Sequence, residues 1–344
     1  MMVQAVIMAG GEGARLRPLT CNVPKPMVPV GNRPIMHHIV SLLRGLGIRQ
    51  AFATLHYLAD EVESYFEDGS GLGVGVEYLV EDVPLGTAGS VHRLMDRLEG
   101  TFVIVSGDAL TDVDLRPAME FHRSRGAMAT LVLTRVANPV EFGVVIIDEE
   151  GRVQRFLEKP SAGEVFSDTV NTGIYMLEPE ALRRVDAGRP SDFSKDLFPT
   201  LLGEGALVCG YVAEGYWTDV GNLEQYRQAN QDCLQGRVGI ELPGEQVEEG
   251  VWIGERTRVH PGARLVAPVL IGHGSAIEAG AVVGPYTIIG DNNIVEAGAV
   301  VNHAVTWSGT YIGRGSRVDG ATVCRNVVVK NNVTIREGAA VGDR

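Results

Sequence analysis

The sequence predicts an α/β domain built on a mostly parallel sheet, followed by a parallel β-helix. Strand-like apolar runs alternate with helical patterns as far as about residue 233, which is typical of a parallel sheet covered by helices. After Gly250 the composition changes, and apolar residues recur at every sixth position. Such a period is typical of short strands that stack into a solenoid.

The alternating part of the chain predicts the following elements. Strands are expected at residues 3–9, 50–55, 74–78, 101–105, 129–136, 143–147 and 173–177. Helices are expected at residues 34–46, 58–66, 88–98, 115–125 and 178–185. Ligands of such sheets bind beyond the carboxyl ends of the strands. Gly10 and Asp108 both follow strand ends and are therefore expected to share a cleft.

The β-helix is predicted from its inward-facing apolar positions. These are Ile253, Val259, Leu265, Ile271, Ile277, Val283, Ile289, Val295, Val301 and Trp307. The period slips between Trp307 and Val323, which we interpret as a loop or corner insertion. We expect about five coils, and the flat faces of a solenoid favour a homo-oligomer. The pattern still runs at the last residue without a polar cap, so a longer protein is an open expectation.

Length and composition allow two domains, each with its own core. The chain has 344 residues, of which 45% are hydrophobic and 21% charged. We predict a first domain at 1–233, a linker at 234–250 and the β-helix at 251–344. No apolar run reaches the roughly 18 residues of a membrane span, and no signal peptide is recognised, so a cytoplasmic protein is expected. The four cysteines are too widely spaced to indicate a zinc cluster.

Charge is distributed unevenly along the chain. The net charge of −13 argues against nucleic acid or an acidic membrane surface as a partner. Residues 1–50 nevertheless contain six basic residues and a single acidic one, Glu12. A basic segment in an acidic protein is what a polyphosphate site requires, although arginines also occupy solvated helix faces.

The strongest local signal is a glycine cluster that follows the first strand. Ala9, Gly10, Gly11 and Gly13 lack bulky side chains, so their backbone amides can approach an anion closely. A P-loop is excluded because Gly13 is not followed by lysine and a hydroxyl residue. The dinucleotide fingerprint is excluded because its third glycine is absent. An ordinary glycine turn is the alternative.

The run from Gly10 through Met27 resembles the signature of sugar-1-phosphate nucleotidylyltransferases. Later segments continue the resemblance in the same order, namely residues 84–90 (PLGTAGS), 106–108 (SGD), 156–160 (FLEKP), 171–175 (NTGIY) and 217–221 (WTDVG). Together they cover about two thirds of the chain, which is most similar to the mannose-1-phosphate guanylyltransferase branch. The resemblance implies a Rossmann-like nucleotidyltransferase sheet and a left-handed β-helix. Some relatives carry a further mutase-like domain, which is one candidate for a missing C-terminal part.

The resemblance also implies the reaction and its cations. A sugar-1-phosphate attacks a nucleoside triphosphate, and pyrophosphate leaves. Two unit charges about 4 Å apart interact by about 4 kcal/mol at an effective dielectric constant near 20, so cations must offset the repulsion between the substrates. By resemblance, Arg15 holds the triphosphate and Lys25 reaches the α-phosphate, while Lys159 binds the sugar phosphate. Taken alone, each would be an ordinary surface cation.

A magnesium ion is implied in the same way. Asp108 and Asp219 match the carboxylates that bind Mg²⁺ in the family. Carboxylates combined with substrate phosphates are the usual ligands of this cation. The alternative for Asp108 is a simple turn residue after Gly107.

The remaining implied contacts fall into two sets. The nucleotide is expected at Ala9, Gly10, Gly11, Gly13, Glu81, Gly86, Thr87 and Gly89. The sugar phosphate is expected at Glu158, Lys159, Asn171, Thr172 and Gly173.

Glu81 bears on the choice of base. Pyrimidine-specific relatives carry glutamine near this position, whereas a carboxylate can accept hydrogen bonds from N1 and N2 of guanine. GTP with mannose-1-phosphate is therefore favoured. UTP or dTTP with glucose-1-phosphate, and a non-catalytic regulator that binds nucleotide sugars, are alternatives. A third is an acyltransferase that uses a histidine of the β-helix.

Overall fold

The computed structural model describes residues 3–158, 161 and 167–342. Their mutual contacts divide them into two compact units. The first contains Ile39–Trp217 together with the N-terminal stretch that ends at Glu12. The second contains Gly13–His38 together with the chain from Thr218 onward. The domain boundaries at 1–233 and 251–344 stay a prediction.

The helices and the strands before the β-helix have the following bounds. The α-helices among the described residues are α1 (Ile35–Gly45), α2 (Ala59–Phe66), α3 (Gly86–His92), α4 (Arg116–Arg125), α5 (Phe198–Gly203) and α6 (Leu223–Leu234). The strands are β1 (Ala5–Met8), β2 (Pro29–Val30), β3 (Arg33–Pro34), β4 (Gln50–Leu55), β5 (Gly75–Val80), β6 (Phe102–Ser106), β7 (Ala109–Thr111), β8 (Ala129–Arg135), β9 (Gly143–Ile147), β10 (Val153–Glu158), β11 (Thr169–Leu177), β12 (Val208–Val212) and β13 (Trp217–Asp219).

The first unit is built on a Rossmann-like sheet with the strand order β10-β9-β11-β6-β1-β4-β5, and β8 joins β11 to β12. Strands β6, β1, β4 and β5 are parallel neighbours, which confirms the predicted parallel sheet. Strand β11 runs antiparallel to β6, β8 and β9. Apolar periodicity carries no information on strand direction, so this mixed half was not predicted.

Most predicted elements are confirmed, and two helices differ. The strands at 50–55 and 143–147 have the predicted bounds. The helix predicted at 88–98 is split into α3 and a 3-10 turn at Met95–Arg97. The segment 178–185 forms a 3-10 helix at Pro179–Arg184. Its hydrogen bonds join residues three positions apart, such as the one from Ala181 N to Glu178 O. The elements of this part of the chain that were not predicted are strands β2, β3, β7, β10, β12 and β13 and helices α5 and α6.

The core of the first unit lies between the sheet and the segments that cross it. Val91 of α3, Phe193 and Phe198 are fully or almost fully buried against the central strands. The ring of Tyr175 on β11 packs edge-on against Phe198, with ring centroids 5.0 Å apart. Burial of these rings provides much of the hydrophobic stabilisation of this layer.

The β-helix belongs to the second unit. Its strands are β14 (Glu245–Glu248), β15 (Val251–Ile253), β16 (Arg258–Val259), β17 (Arg264–Leu265), β18 (Val269–Ile271), β19 (Ala276–Ile277), β20 (Val282–Val283), β21 (Thr287–Ile289), β22 (Ile294–Val295), β23 (Val300–Asn302), β24 (Val305–Thr306), β25 (Tyr311–Ile312), β26 (Arg317–Asp319), β27 (Thr322–Val323), β28 (Val328–Val329), β29 (Thr334–Ile335) and β30 (Ala340–Val341). From β15 onward they form three parallel sheets, one on each face. This confirms the predicted left-handed β-helix.

The slip in the apolar period comes from shortened corners, so its interpretation as an insertion was wrong. Leu270 pairs with Ile288, a step of 18 residues, whereas Ile288 pairs with Val305, a step of 17. The two coils that contain the corners at 302–304 and 319–321 are each one residue short.

The shorter coil changes the position of Trp307. Ile289 and Val323 belong to the buried core of the β-helix, and Thr306 pairs with both. Thr306 therefore takes the inward position that was predicted for Trp307. Trp307 follows it on the outer side of the coil and is buried there against helix α6.

None of the helices formed by the described residues combines the length and the apolar character that a membrane crossing requires.

Candidate active site

Two strand ends of the first unit lie side by side and hold Ala9 and Asp108. Met8 at the end of β1 is paired with Ser106 at the end of β6. The amide of Gly107 donates to Met8 O at 2.8 Å, and a Cβ on Gly107 would lie 2.9 Å from that oxygen. Only glycine permits this approach, and it places Asp108 directly beyond the two strands. The two strand ends therefore lie at one edge of the sheet, and the predicted shared cleft stays a prediction.

Asp108 is oriented by its own strand. The hydroxyl of Ser106 donates to Asp108 Oδ1 at 2.5 Å. Ser106 also lies beneath Gly173, where a Cβ would be 2.9 Å from the Ser106 Cβ. Ser106 was not among the predicted site residues, although its place in the SGD motif was a signal.

The glycine cluster contains glycines of two kinds. A Cβ on Gly11 would meet no atom within 4 Å, so the space beside its backbone is open. Gly13 instead has φ +65°, and its Cβ would lie 2.9 Å from the Cβ of Lys25. The left-handed conformation and the close approach both require glycine there. Gly13 therefore shapes the chain around Lys25, whereas Gly11 leaves room for a ligand.

In the second unit, Arg15, Lys25 and Asp219 form a charged cluster. Lys25 Nζ lies 2.9 Å from Asp219 Oδ1, and only 7% of the Lys25 side chain is exposed. Arg15 Nη2 lies 3.9 Å from Asp219 Oδ2, and 64% of its side chain is exposed. The cluster thus combines a buried ammonium, an accessible guanidinium and one carboxylate between them.

Local backbone features position this cluster. Lys25 begins a 3-10 turn, Lys25–Met27, that is preceded by Pro24. Asp219 ends β13, and a Cβ on Gly221 would lie 2.8 Å from Asp219 Oδ2 and 3.2 Å from Arg15 Nη2. A larger residue at 221 would therefore push into both charged groups.

Glu81 is buried beside the start of α3. Its side chain is only 6% exposed. Oε2 accepts a hydrogen bond of 2.8 Å from the hydroxyl of Ser90. Oε1 is enclosed and has no hydrogen-bond partner among the described residues. An unpaired buried carboxylate oxygen is costly, so a donor supplied by a ligand would stabilise it.

The PLGTAGS segment forms the first turn of α3 and is held by a loop that sequence analysis missed. The amides of Ala88 and Gly89 donate to Ser191 O at 2.9 and 3.1 Å. A Cβ on Gly86 would lie 2.5 Å from the same oxygen. The hydroxyl of Thr87 donates to Asp192 Oδ2 at 2.9 Å. Packing against this loop accounts for these residue types, and the predicted nucleotide contacts of Gly86, Thr87 and Gly89 stay a prediction.

The NTG segment forms a bulge in β11. Asn171 pairs with Leu133 and Ile174 with Val132, so two residues of β11 have no opposite partner. Gly173 has φ +77°. Asn171 is fixed by a donated bond of 2.9 Å to Tyr175 Oη, and the Thr172 hydroxyl donates to Val132 O at 2.7 Å. Bulges of this kind redirect side chains next to functional sites.

One of the two remaining predicted sugar-phosphate residues, Glu158, lies at the end of β10. Glu158 is paired with Gly143, and a Cβ on Gly143 would lie 2.8 Å from Glu158 Oε2. Lys159 lies outside the described residues.

The carboxylates predicted to bind Mg²⁺ are chemically suited to it. Asp108 and Asp219 offer the hard oxygen ligands that this cation prefers. Among the described residues, no group of three or more acidic, histidine or cysteine side chains could hold a metal ion by itself. Substrate phosphates would have to complete its coordination, which is normal for Mg²⁺ in phosphate chemistry.

The chain was compared with known proteins. The nucleotidyl transferase family matches residues 4–236, and the GMPPB C-terminal domain matches residues 265–344. A mannose-1-phosphate guanylyltransferase of Mycobacterium tuberculosis is 36% identical over 76% of this chain and 78% of its own length. A UTP–glucose-1-phosphate uridylyltransferase of Synechocystis is 36% identical over 73% of this chain and 69% of its own length.

A solved structure of a related protein is similar to this chain in fold. A Bacillus anthracis protein, provisionally described as a glucose-1-phosphate thymidylyltransferase, superposes with a TM-score of 0.62 at 26% identity. The superposition covers 71% of this chain and 98% of that protein. The motifs, the fold and these matches agree. The chain therefore belongs to the nucleotidyl transferase family and is a sugar-1-phosphate nucleotidylyltransferase.

Proposed function

We propose that this enzyme transfers a guanylyl group from GTP to mannose-1-phosphate, giving GDP-mannose and pyrophosphate. The cluster of Arg15, Lys25 and Asp219 carries the proposal. It holds a buried ammonium ion and an accessible guanidinium 2.9 and 3.9 Å from one carboxylate. The M. tuberculosis relative is named for this activity, and the β-helix matches the GMPPB C-terminal domain.

The cations of this cluster would offset the repulsion between the two anionic substrates, which is the main obstacle to the reaction. An oxygen of the sugar phosphate attacks the α-phosphorus of GTP, and the bond from that phosphorus to pyrophosphate breaks as the new one forms. Lys25 sits in a low-dielectric position, where its charge acts more strongly on phosphate oxygens than in water. Arg15 is exposed and can pair with two phosphate oxygens at once, which suits the departing pyrophosphate.

Magnesium is the proposed cofactor, and Asp108 and Asp219 are its proposed ligands. When bound, the ion neutralises charge on the phosphate oxygens. Ser106 holds the Asp108 carboxylate in one orientation, and Lys25 does the same for Asp219. This chain's own residues therefore fix both carboxylates before any ligand arrives.

The sugar side of the site is assigned to Glu158, Lys159, Asn171, Thr172 and Gly173. The bulge at Asn171–Gly173 supports this assignment, because its backbone departs from the ladder beside Ser106. Guanine is assigned to Glu81, whose enclosed Oε1 is available for one donor of the base. The glycines and Thr87 of the predicted nucleotide set complete the proposal.

UTP with glucose-1-phosphate is the second candidate. The Synechocystis relative is named for that pair, and its identity to this chain equals that of the M. tuberculosis relative. The two candidates share the cation cluster and differ at the base and sugar.

The test is pyrophosphate release with Mg²⁺, measured for GTP, UTP, dTTP, ATP and CTP against mannose-1-phosphate and glucose-1-phosphate. We expect turnover with GTP and mannose-1-phosphate. Lys25→Gln should abolish it, while Lys330→Gln on the β-helix serves as the matched control. A pyrimidine preference would replace the first candidate by the second, and absence of turnover with every pair would contradict both.

We also propose a homo-oligomer in the cytoplasm, where the nucleoside triphosphates are made. Ile294 and Val328 lie on strands β22 and β28 of one β-helix face and are 41% and 66% exposed. An apolar row of this kind on a flat face favours self-association. Sedimentation analysis of Val328→Glu beside the unaltered chain tests the proposal.

A further inference from the structure

Helix α6 connects the β-helix to the segment that carries Arg15 and Lys25, which we call the basic segment (Gly13–His38). The hydroxyl of Tyr226 on α6 donates to Pro29 O at 2.9 Å. The same hydroxyl accepts a bond of 2.8 Å from Trp307 Nε1 of the β-helix. Tyr226 is 0% exposed and Trp307 is 4% exposed. One buried hydroxyl thus links β-helix, α6 and basic segment.

Further hydrogen bonds make the same connection. Asn230, one turn after Tyr226, accepts a bond of 3.0 Å from the amide of Gly31. Asn32 Nδ2 donates to Ile289 O on strand β21 at 2.8 Å. Arg325 Nη2 donates to the carbonyl oxygen of Asn22 at 2.9 Å. The basic segment is therefore bonded to the β-helix both directly and through α6.

The basic segment needs this support because it contains little regular structure. Before α1 begins, it has only 3-10 turns at Ala14–Leu16 and Lys25–Met27 and the two-residue strands β2 and β3. Pro29, to which Tyr226 donates, lies four residues after Lys25. A few hydrogen bonds inside the segment cannot hold an ammonium group to the precision that phosphoryl chemistry requires.

We propose that Tyr226 and Trp307 are positioning residues, through which the β-helix holds Arg15 and Lys25 in their reactive arrangement. The roles of Arg15 and Lys25 rest on the proposed function, whereas the positioning of the basic segment does not. The β-helix is thereby part of the catalytic apparatus and has a role beyond assembly.

The chemistry of the link is suited to this role. The Tyr226 hydroxyl donates its proton to Pro29 O and accepts a hydrogen bond from Trp307 Nε1, so both bonds depend on a single oxygen atom. Removing that atom takes a partner from the buried Trp307 Nε1 and from the part-buried Pro29 O, which is more disruptive than losing an exposed bond. Burial also raises the pKa of the Tyr226 hydroxyl, so it remains a donor throughout the working pH range.

The test combines amide hydrogen exchange with kinetics in the full-length protein. The variants are Tyr226→Phe, which keeps the ring, Trp307→Phe, which replaces the indole by a smaller aromatic ring, and the double variant. Tyr311→Phe, which removes a tyrosine hydroxyl from strand β25 of the β-helix, is the matched control. Hydrogen exchange of residues 13–38 is measured without substrate, so it reports on the link even if the proposed substrates are wrong.

We expect exchange in the basic segment to be about tenfold faster in Tyr226→Phe and less accelerated in Trp307→Phe. The double variant should match Tyr226→Phe, since both residues act through one atom. For the substrate pair that the unaltered enzyme uses, kcat should fall about tenfold at a temperature where the variant is fully folded. Tyr311→Phe should leave both quantities unchanged.

A purely structural role would give a different result. It would lower the melting temperature while leaving kcat and the exchange of residues 13–38 unchanged, and this outcome would overturn the proposal. If Tyr226→Phe fails to fold, the exchange of residues 13–38 in Trp307→Phe decides between the two outcomes. That variant keeps the bond between Tyr226 and Pro29 and is therefore expected to fold. An unaltered enzyme that is inactive with every substrate pair would refute the proposed function, and the exchange data would still decide the positioning role.

Discussion

Lys25 Nζ lies 2.9 Å from Asp219 Oδ1, although 194 residues separate them in the sequence. The ammonium is almost completely buried, whereas 26% of the Asp219 side chain is exposed. A buried cation requires a counter-charge, and Asp219 supplies one. Because Arg15 lies on the other oxygen of the same carboxylate, Asp219 orders both cations before substrate binds.

Replacing these two cations should have different effects on stability. Lys25→Gln removes the nearer of the two cations that pair with Asp219 and should lower kcat at least a hundredfold and the free energy of unfolding by about 1–3 kcal/mol. Arg15→Gln should also reduce activity, but an exposed pair contributes less than about 1 kcal/mol to stability. Steady-state rates and urea denaturation measure both. A Lys25→Gln enzyme within twofold of the unaltered rate would exclude Lys25 from the chemistry.

Two glycines of the same cluster should respond differently to alanine. Gly13→Ala forces a side chain into left-handed backbone and against Lys25, so we expect a loss of about 1–2 kcal/mol in stability together with lower activity. Gly11→Ala meets no protein atom and should leave the melting temperature unchanged while raising KM for the nucleotide. Equal destabilisation by the two substitutions would argue against a ligand space beside Gly11.

Glu81 should govern the choice of base. A hydrogen bond to a charged group contributes about 1.5–3 kcal/mol, so Glu81→Gln should reduce the preference for GTP over UTP by about tenfold or more. The preference is measured as the ratio of kcat/KM values. Glu77→Gln, a half-exposed glutamate on strand β5, which ends just before Glu81, is the control and should leave the ratio unchanged. An unaltered ratio in Glu81→Gln would assign Glu81 to supporting Ser90 and α3 only.

Asp108 should determine the requirement for magnesium. We expect EDTA to abolish turnover and Mg²⁺ to restore it. Asp108→Asn should raise the Mg²⁺ concentration for half-maximal rate at least tenfold, because an amide is a weaker ligand than a carboxylate. Asp114→Asn, which breaks only an exposed ion pair with Arg116, is the control. A lower rate at an unchanged Mg²⁺ requirement would remove Asp108 from the metal site.

His122 should make the stability of the first unit depend on pH. Burial lowers the pKa of His122, and the hydrogen bond from Nε2 to Glu178 offsets this only in part. The unfolded chain therefore binds a proton more readily than the folded one. The stabilising contribution is complete above about pH 6.5 and is lost as the pH falls below that value, by at most about 1.4 kcal/mol per pH unit.

The comparison of His122→Gln with the unaltered protein tests this. Urea denaturation between pH 7.5 and 5.5 should give a steeper loss of stability for the unaltered protein than for the variant. Burial also lowers the pKa of His38, which should leave a residual slope in both. Identical slopes in the two proteins would show that His122 does not titrate in this range.

Local sequence patterns were sufficient wherever the signal and the structure are both local. The strands at 50–55 and 143–147 are apolar runs bounded by turns, and they were predicted with their observed bounds. The direction of β11 was not predictable, because a strand pattern is the same whichever way the strand pairs. Trp307 was misplaced because a slip in a period does not reveal whether residues were added or removed. Only the pairing of Ile289 with Thr306 shows that the corner is short.

Residue types and short spacings were sufficient to predict the chemistry that the chain can offer. They identified the glycine cluster, the basic residues near the N-terminus, the later motifs and the six-residue period, since each depends on residue type and short spacing. Tertiary structure alone decided which groups meet. It brought Lys25 into contact with Asp219 and buried Glu81 beside Ser90. It also connected Pro29 to the β-helix through the hydrogen bonds of Tyr226. The first and the third of these contacts join residues 194 and 197 positions apart, and the geometry of all three depends on the packing of whole elements, which no local pattern encodes.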